Sequence, residues 1–127
     1  MMEKKPLLLC LHMDPTRVMR LSFLAPSLGI QVRAVPDDQW GQPLGALCGL
    51  DAPRSHPAPA RVGEEMLVMA FFPDALMDRL LPLLRKELGG VRLKAVLTAH
   101  NRPWTAGMLY TALAREAAQL DQRQGTR

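Results

Sequence analysis

Chemistry in this chain of 127 residues would have to come from a short roster of side chains. His12 stands two residues before Asp14, a spacing that offers a general base and a carboxylate to orient it. Asp14, however, precedes Pro15 at the start of a helical pattern, where an aspartate caps the first backbone N–H groups, and the two uses compete. Cys10 lies inside an apolar run with no base beside it, the setting of a buried thiol that packs as a small hydrophobe. Cys48 belongs to no Cys-x-x-Cys pair, and His12, His56 and His100 are too far apart for zinc-ligand spacing. The carboxylates of Glu64 and Glu65 adjoin a proline-rich stretch and are expected to be poorly held. No nucleophile elbow, paired-histidine zinc motif or phosphate-loop motif occurs. The sequence therefore names no catalytic residue, no metal ligand and no cofactor.

Two segments remain as candidates for binding a ligand or partner. Thr98 and Asn101 follow an apolar strand pattern, and Trp104 leads into a helix whose N-terminus favours anions. Lys94, upstream on the strand, could face such an anion. Against this, Asn101 or Thr105 would serve equally as a helix cap, Trp104 continues the apolar stripe of that helix, and edge-strand lysines are commonly solvated. Gln42-Pro43-Leu44-Gly45, preceded by Gly41, is a fixed turn in which a buried Gln42 could read a ligand or satisfy backbone groups. For both segments the structural use is the simpler one.

These segments hang on two apolar runs, Leu7-Leu8-Leu9-Cys10-Leu11 and Met66-Leu67-Val68-Met69-Ala70-Phe71-Phe72, the pattern of strands covered on both faces. Each run leads into a helix. Val18, Leu21, Leu24, Ala25 and Leu28 recur at helical spacing up to Gly29, and Leu76, Leu80, Leu84 and Leu88 do so up to Gly89-Gly90, with Pro82 inside. Each helix leads to a mixed strand bearing Arg33 in the first case and Arg92 and Lys94 in the second. A last helix is expected over residues 104–120. Residues 51–63, with Pro53, Pro57 and Pro59, are expected to form a mobile loop.

Residues 7–35 and 67–96 resemble each other, with Asp14 falling on Asp74, Leu24 on Leu84 and Gly29 on Gly89. A doubled βαβ unit within one domain, residues 1–127, predicts an α+β, ferredoxin-like, four-stranded sheet plus a C-terminal helix. The first and third strands would be central, and the charged second and fourth would be edges. The competing architecture is a small parallel α/β sheet with the Trp40 and Trp104 segments at one carboxyl edge. In the ferredoxin-like arrangement two helices cover one face. The other face, bearing residues such as Met66 or Met69, needs the last helix or a homodimer partner.

The charge balance, 16 Lys+Arg against 12 Asp+Glu, gives a formal +4. The cations are scattered with no long run, so solvated faces explain them better than a nucleic-acid tail. The central strands carry leucine, methionine and valine rather than the aromatics on which RNA-recognition domains stack bases, which makes nucleic acid a disfavoured partner. The N-terminal apolar run is too short to span a bilayer, and no membrane partner is expected. Two isolated cysteines fit a reducing cytoplasm.

Met66-Leu67-Val68-Met69, then Leu93-Lys94-Ala95-Val96-Leu97-Thr98, Asn101 and Trp104-Thr105, resemble a bacterial family catalogued as domain of unknown function 3783. Gln42-Pro43-Leu44-Gly45 is also similar to that family, and the resemblance extends over residues 7–120 apart from the proline-rich loop. It implies a small cytoplasmic α/β domain and carries no activity, cofactor or catalytic residue. His100 and Arg102 fall in variable slots of the string and weigh less than Asn101 and Trp104. The expected function is a non-catalytic regulatory or protein-interaction module, with a homodimer partner, another protein or a small ligand as its occupant. A ligand-binding protein or small enzyme using residues 98–104 is the alternative, and RNA binding ranks below both.

Overall fold

The computed structural model describes residues 4–54 and 61–125. In chain order these form β1 (Leu7–Leu11), α1 (Pro15–Leu28), β2 (Gln31–Ala34), a 3-10 turn (Asp37–Gln39), α2 (Leu44–Leu47), β3 (Met66–Ala70), α3 (Asp74–Leu88), β4 (Leu93–Val96) and α4 (Ala106–Gly125). The four strands make one mixed sheet in the order β2-β1-β3-β4. β1 runs parallel to β2 and β3 parallel to β4, while β1 and β3 pair antiparallel with Leu9 opposite Val68.

Every residue of β1 and β3 is buried, and successive side chains point to opposite faces. Leu8, Cys10, Leu67 and Met69 pack under α1 and α3 against Leu21, Ala25, Leu76, Leu80 and Leu84. Leu7, Leu9, Leu11, Met66, Val68 and Ala70 pack against Trp40, Leu44, Ala106 and Leu109, so α2 and α4 cover the second face. Met66 and Met69 thus lie on opposite sides, because they are three residues apart on a strand of period two. Asp14 caps α1, its carboxylate accepting from the Thr16 N–H at 2.8 Å. Gly29 and Gly89 end α1 and α3 at φ +70° and +71°, a conformation that side chains resist. Among the described residues no helix is long and apolar enough to cross a membrane.

The strand order differs from the ferredoxin-like expectation. There each edge strand would bond the central strand of the other half, whereas here β2 bonds β1 and β4 bonds β3. Both arrangements bury and expose the same strands, so hydrophobic patterning is blind to the choice. The all-parallel alternative fails at the antiparallel β1–β3 pair, which sends the carboxyl ends of the two halves to opposite ends of the sheet. The position-by-position match of the halves also shifts by one residue. Asp14 and Pro73 are the two N-caps, so Asp74 corresponds to Pro15 rather than to Asp14.

Several backbone features recur in the two halves, at an offset that changes along the chain. His12 and Phe71, which end β1 and β3, are the non-glycine residues with positive φ among the described residues, at +54° and +64°. The Val35 N–H donates to the Cys10 carbonyl and the Leu97 N–H to the Met69 carbonyl, each at 2.9 Å. The Gln42 N–H closes a turn on Gln39, as the Trp104 N–H does on Asn101. Pro43 and Thr105 then form a β-bridge with each other, immediately before α2 and α4.

The carboxylates expected to be loosely held are fixed instead. Glu64 pairs with Arg92 at 2.5 Å, and Arg92 also reaches Asp121 on α4 at 3.0 Å. Arg17 on α1 takes Glu65 in a two-pronged contact of 2.8 and 2.6 Å. The same guanidinium donates to the Leu88 carbonyl at 2.8 Å and to the Gly90 carbonyl at 3.1 Å, satisfying acceptors left open at the end of α3. Of the proline-rich loop, Val62 is buried in the core below α4, and Pro57 and Pro59 lie outside the described residues.

Arg17 therefore ties α1, the entry to β3 and the exit of α3 at one point. Arg17→Ala is expected to lower stability by about 1–3 kcal/mol, since it strands Glu65 and two carbonyls. Arg17→Lys should recover only part of this, because a point charge lacks the planar fork. Urea midpoints at constant m-value check both.

Candidate functional site

The two candidate segments meet. The Leu44 N–H donates to the Trp104 carbonyl at 2.8 Å and the Gly45 N–H to the Arg102 carbonyl at 2.9 Å, both on the same side of the Pro43–Thr105 bridge. Gly45 has no room for a side chain, since a Cβ there would stand 1.9 Å from Asp51 Oδ2 and 2.8 Å from Arg102 Cγ. The glycine of Gln42-Pro43-Leu44-Gly45 is thus a close-approach position that lets the two segments touch.

Their polar side chains are spent on the fold. Buried Gln42 accepts from the Arg54 N–H at 2.8 Å and donates to the Arg54 carbonyl at 3.2 Å, holding the start of the proline-rich loop. Buried Asn101 accepts from the Thr98 N–H at 2.8 Å and donates to the Val96 carbonyl at 3.0 Å. The Leu97 N–H faces β3, so the flanking Val96 carbonyl and Thr98 N–H face outward. The Asn101 carboxamide therefore gives the open edge of β4 the pair of bonds that a further strand would supply. The Thr98 hydroxyl returns a bond by accepting from the Asn101 N–H at 3.1 Å. Thr105 caps α4, its hydroxyl accepting from the Met108 N–H at 3.2 Å, and α4 begins at Ala106 rather than at Trp104. Among the described residues no buried side-chain polar atom lacks a partner.

Lys94 and Trp104 stand apart from this junction. Lys94 lies opposite Leu67 in the register, on the α3 side of the sheet, and its ammonium donates to the Val91 carbonyl. It does not face the Thr98–Asn101 turn. Trp104 packs half-buried onto the α4-side core, with the His100 ring edge-on at 5.2 Å. His12 meets Trp40 edge-on at 5.6 Å, while Asp14 is taken by its capping bond. No group of three or more histidine, cysteine, aspartate or glutamate side chains among the described residues could hold a metal ion.

Arg102, given little weight from the sequence, is the charged residue at the junction. It forks onto Asp51 at 2.8 and 2.5 Å. Those hydrogen bonds hold the Asp51 carboxyl below its ordinary range and raise the Arg102 guanidinium. The pair's contribution is present above the ordinary carboxylate pKa and disappears as pH falls through the depressed value. The two residues are far apart in sequence, and only Gly45, whose vacancy they fill, hinted at the contact.

Residues 65–120 match the family model described as Domain of unknown function (DUF3783). That segment belongs to the DUF3783 family. The matched stretch runs from the entry of β3 into α4 and contains Asn101, Arg102 and Trp104, whereas Gln42-Pro43-Leu44-Gly45 lies outside it. No curated protein and no solved structure matches the chain.

Within the DUF3783 segment Asn101→Ala leaves an edge carbonyl and N–H unpaired, and a loss of about 1–3 kcal/mol is expected. Gln42→Ala, which frees both polar groups of Arg54, should cost no more than that because Arg54 is exposed. Thermal and urea unfolding measure both, and unchanged stability in Asn101→Ala would remove its structural role. Burial pushes the Cys10 thiol up to about 12 and the Cys48 thiol up to about 11. Both should resist a thiol-specific reagent at neutral pH until the protein is unfolded.

Proposed function

We propose that this chain is a non-catalytic protein-interaction module whose partner is a second copy of itself, met through the outer face of α1. The observation that carries this reading is a pair of apolar side chains one helical turn apart, Met19 at 70% and Phe23 at 77% exposure. They border a hollow of about 570 Å3 with Thr16, Arg20 and Glu87 on its rim. Nothing in the internal packing requires them there, and contiguous exposed apolar surface marks interaction sites.

The charges around the patch favour a copy over an acidic or basic partner. Arg20 is paired with Glu87 on the rim, and Arg17 on the rim is paired with Glu65 behind it, so both rim cations are neutralised within the chain. A two-fold arrangement of antiparallel α1 helices would lay Phe23 of one copy over Met19 of the other, a sulfur–aromatic contact. It would also set Arg20 against the other copy's Glu87, the self-complementarity that an isologous interface needs.

The matching features of the two halves support a second part of the reading. The chain is a tandem of two βαβ-plus-helix units, the first with a helix cut to α2. Cytoplasmic residence fits the two unpaired thiols.

Sedimentation velocity at micromolar protein tests the interaction. The wild-type chain is expected to dimerise, and Phe23→Glu to weaken the dimer at least about tenfold, equivalent to ~1.4 kcal/mol, with an unchanged melting temperature at a dilution where both chains are monomeric. A strictly monomeric wild-type chain would sink the reading.

A further inference from the structure

The carboxyl ends of the two halves are built alike but filled differently. At the end of the first half, Trp40 is 7% exposed, its indole N–H donates to the Val35 carbonyl at 3.2 Å, and its ring stands against His12. Counted from the matching bonds of Val35 and Leu97 and of Gln42 and Trp104, Arg102 holds the register position of Trp40 and Leu97 that of Val35, and Phe71 shares with His12 its positive φ after a central strand. All three line a hollow of about 340 Å3 at the end of β3 and β4, together with Phe72, Thr98 and Leu50. Arg102 does not fill that space as Trp40 fills its own. Its donors turn aside to Asp51 and to the Leu50 carbonyl, forming a wall.

We propose that this second-half hollow is a binding site for an indole group, held as Trp40 is held in the first half. The indole N–H would donate to the Leu97 carbonyl, the counterpart of the Val35 carbonyl that receives Trp40. The ring would lie beside Phe71 and Phe72 in the edge or offset contacts that aromatic pairs prefer. The Arg102 guanidinium, fixed by Asp51, offers a cation to the ring's face. The hollow's volume lies within the range of small-molecule sites, roughly 300–1,000 Å3, and its largely apolar lining suits a flat ring. The site stands on the geometry of the halves and is independent of self-association through α1, on a different surface.

The indole could come from a free small molecule or from a tryptophan of a peptide, and the assay separates the two. The full-length, 15N-labelled chain is titrated with indole, with N-acetyltryptophanamide and with an Ala-Trp-Ala peptide, following backbone amide shifts. Saturable shifts centred on Phe71, Leu97, Thr98 and Arg102 are expected. Tighter binding of the peptide than of the amide assigns a peptide source, and tighter binding of free indole a small molecule. 1-Methylindole, which lacks the donor, should bind about fivefold more weakly, the span of one net hydrogen bond. Arg102→Trp, which places the first half's own indole at the matching position, should abolish the shifts. No saturable shift with any probe, shifts centred elsewhere, or equal binding of 1-methylindole would each overturn the proposal. The methylindole comparison uses the wild-type chain, so it decides the matter even if Arg102→Trp fails to fold.

Discussion

The structure depends on one constraint, a central pair of strands that is apolar on both faces. Every side chain of β1 and β3 is withdrawn from water. A two-stranded core of this kind cannot sit at the surface of anything, and each face needs a layer of its own. α1 and α3 supply one layer, and α4 with α2 and Trp40 supplies the other. The edges β2 and β4 are left for polar residues. The roles of Asn101, Lys94, Arg17 and Arg92 all follow from holding layers and edges around that pair.

The same constraint explains why the segments with the most chemical promise serve as joinery. The chain must cross from a sheet edge back over the second face to reach α2 and α4, and Gln42-Pro43-Leu44-Gly45 and residues 98–105 are those crossings. Buried backbone in such crossings must find hydrogen bonds. Gln42, Asn101, Thr98 and Thr105 provide them through their polar side chains. Beside the junction, where Arg102 turns to Asp51, these crossings leave a hollow.

Much of the fold is legible in the residues. The two apolar runs, the two helices ending at Gly29 and Gly89 and the central placing of the first and third strands follow from periodicity and capping. These leave the cover of the second face open between the last helix and a homodimer partner, and the packing of α4 there decides it. Asp14 and Asp74 differ in their places because α3 is one residue longer than α1, so that Asp14 is an N-cap while Asp74 is the first residue of its helix. The match between Pro43 and Thr105 is hidden in the sequence because their residue types differ and only the backbone reveals it. Glu64 and Glu65 look loose in the sequence because their partners, Arg92 and Arg17, are distant along the chain.

By itself the sequence determined the four strands, the three long helices and which of their faces are dry, because side-chain hydrophobicity at period 2 or 3.6 is a local property. The tertiary structure alone decided which edge strand bonds which central strand, since either choice buries and exposes the same residues. It also decided that Asn101 closes a strand edge, that Gly45 makes way for Asp51 and Arg102, and that Trp40 is buried with its indole N–H on the Val35 carbonyl. Each is set by hydrogen-bond direction and available volume rather than by residue type.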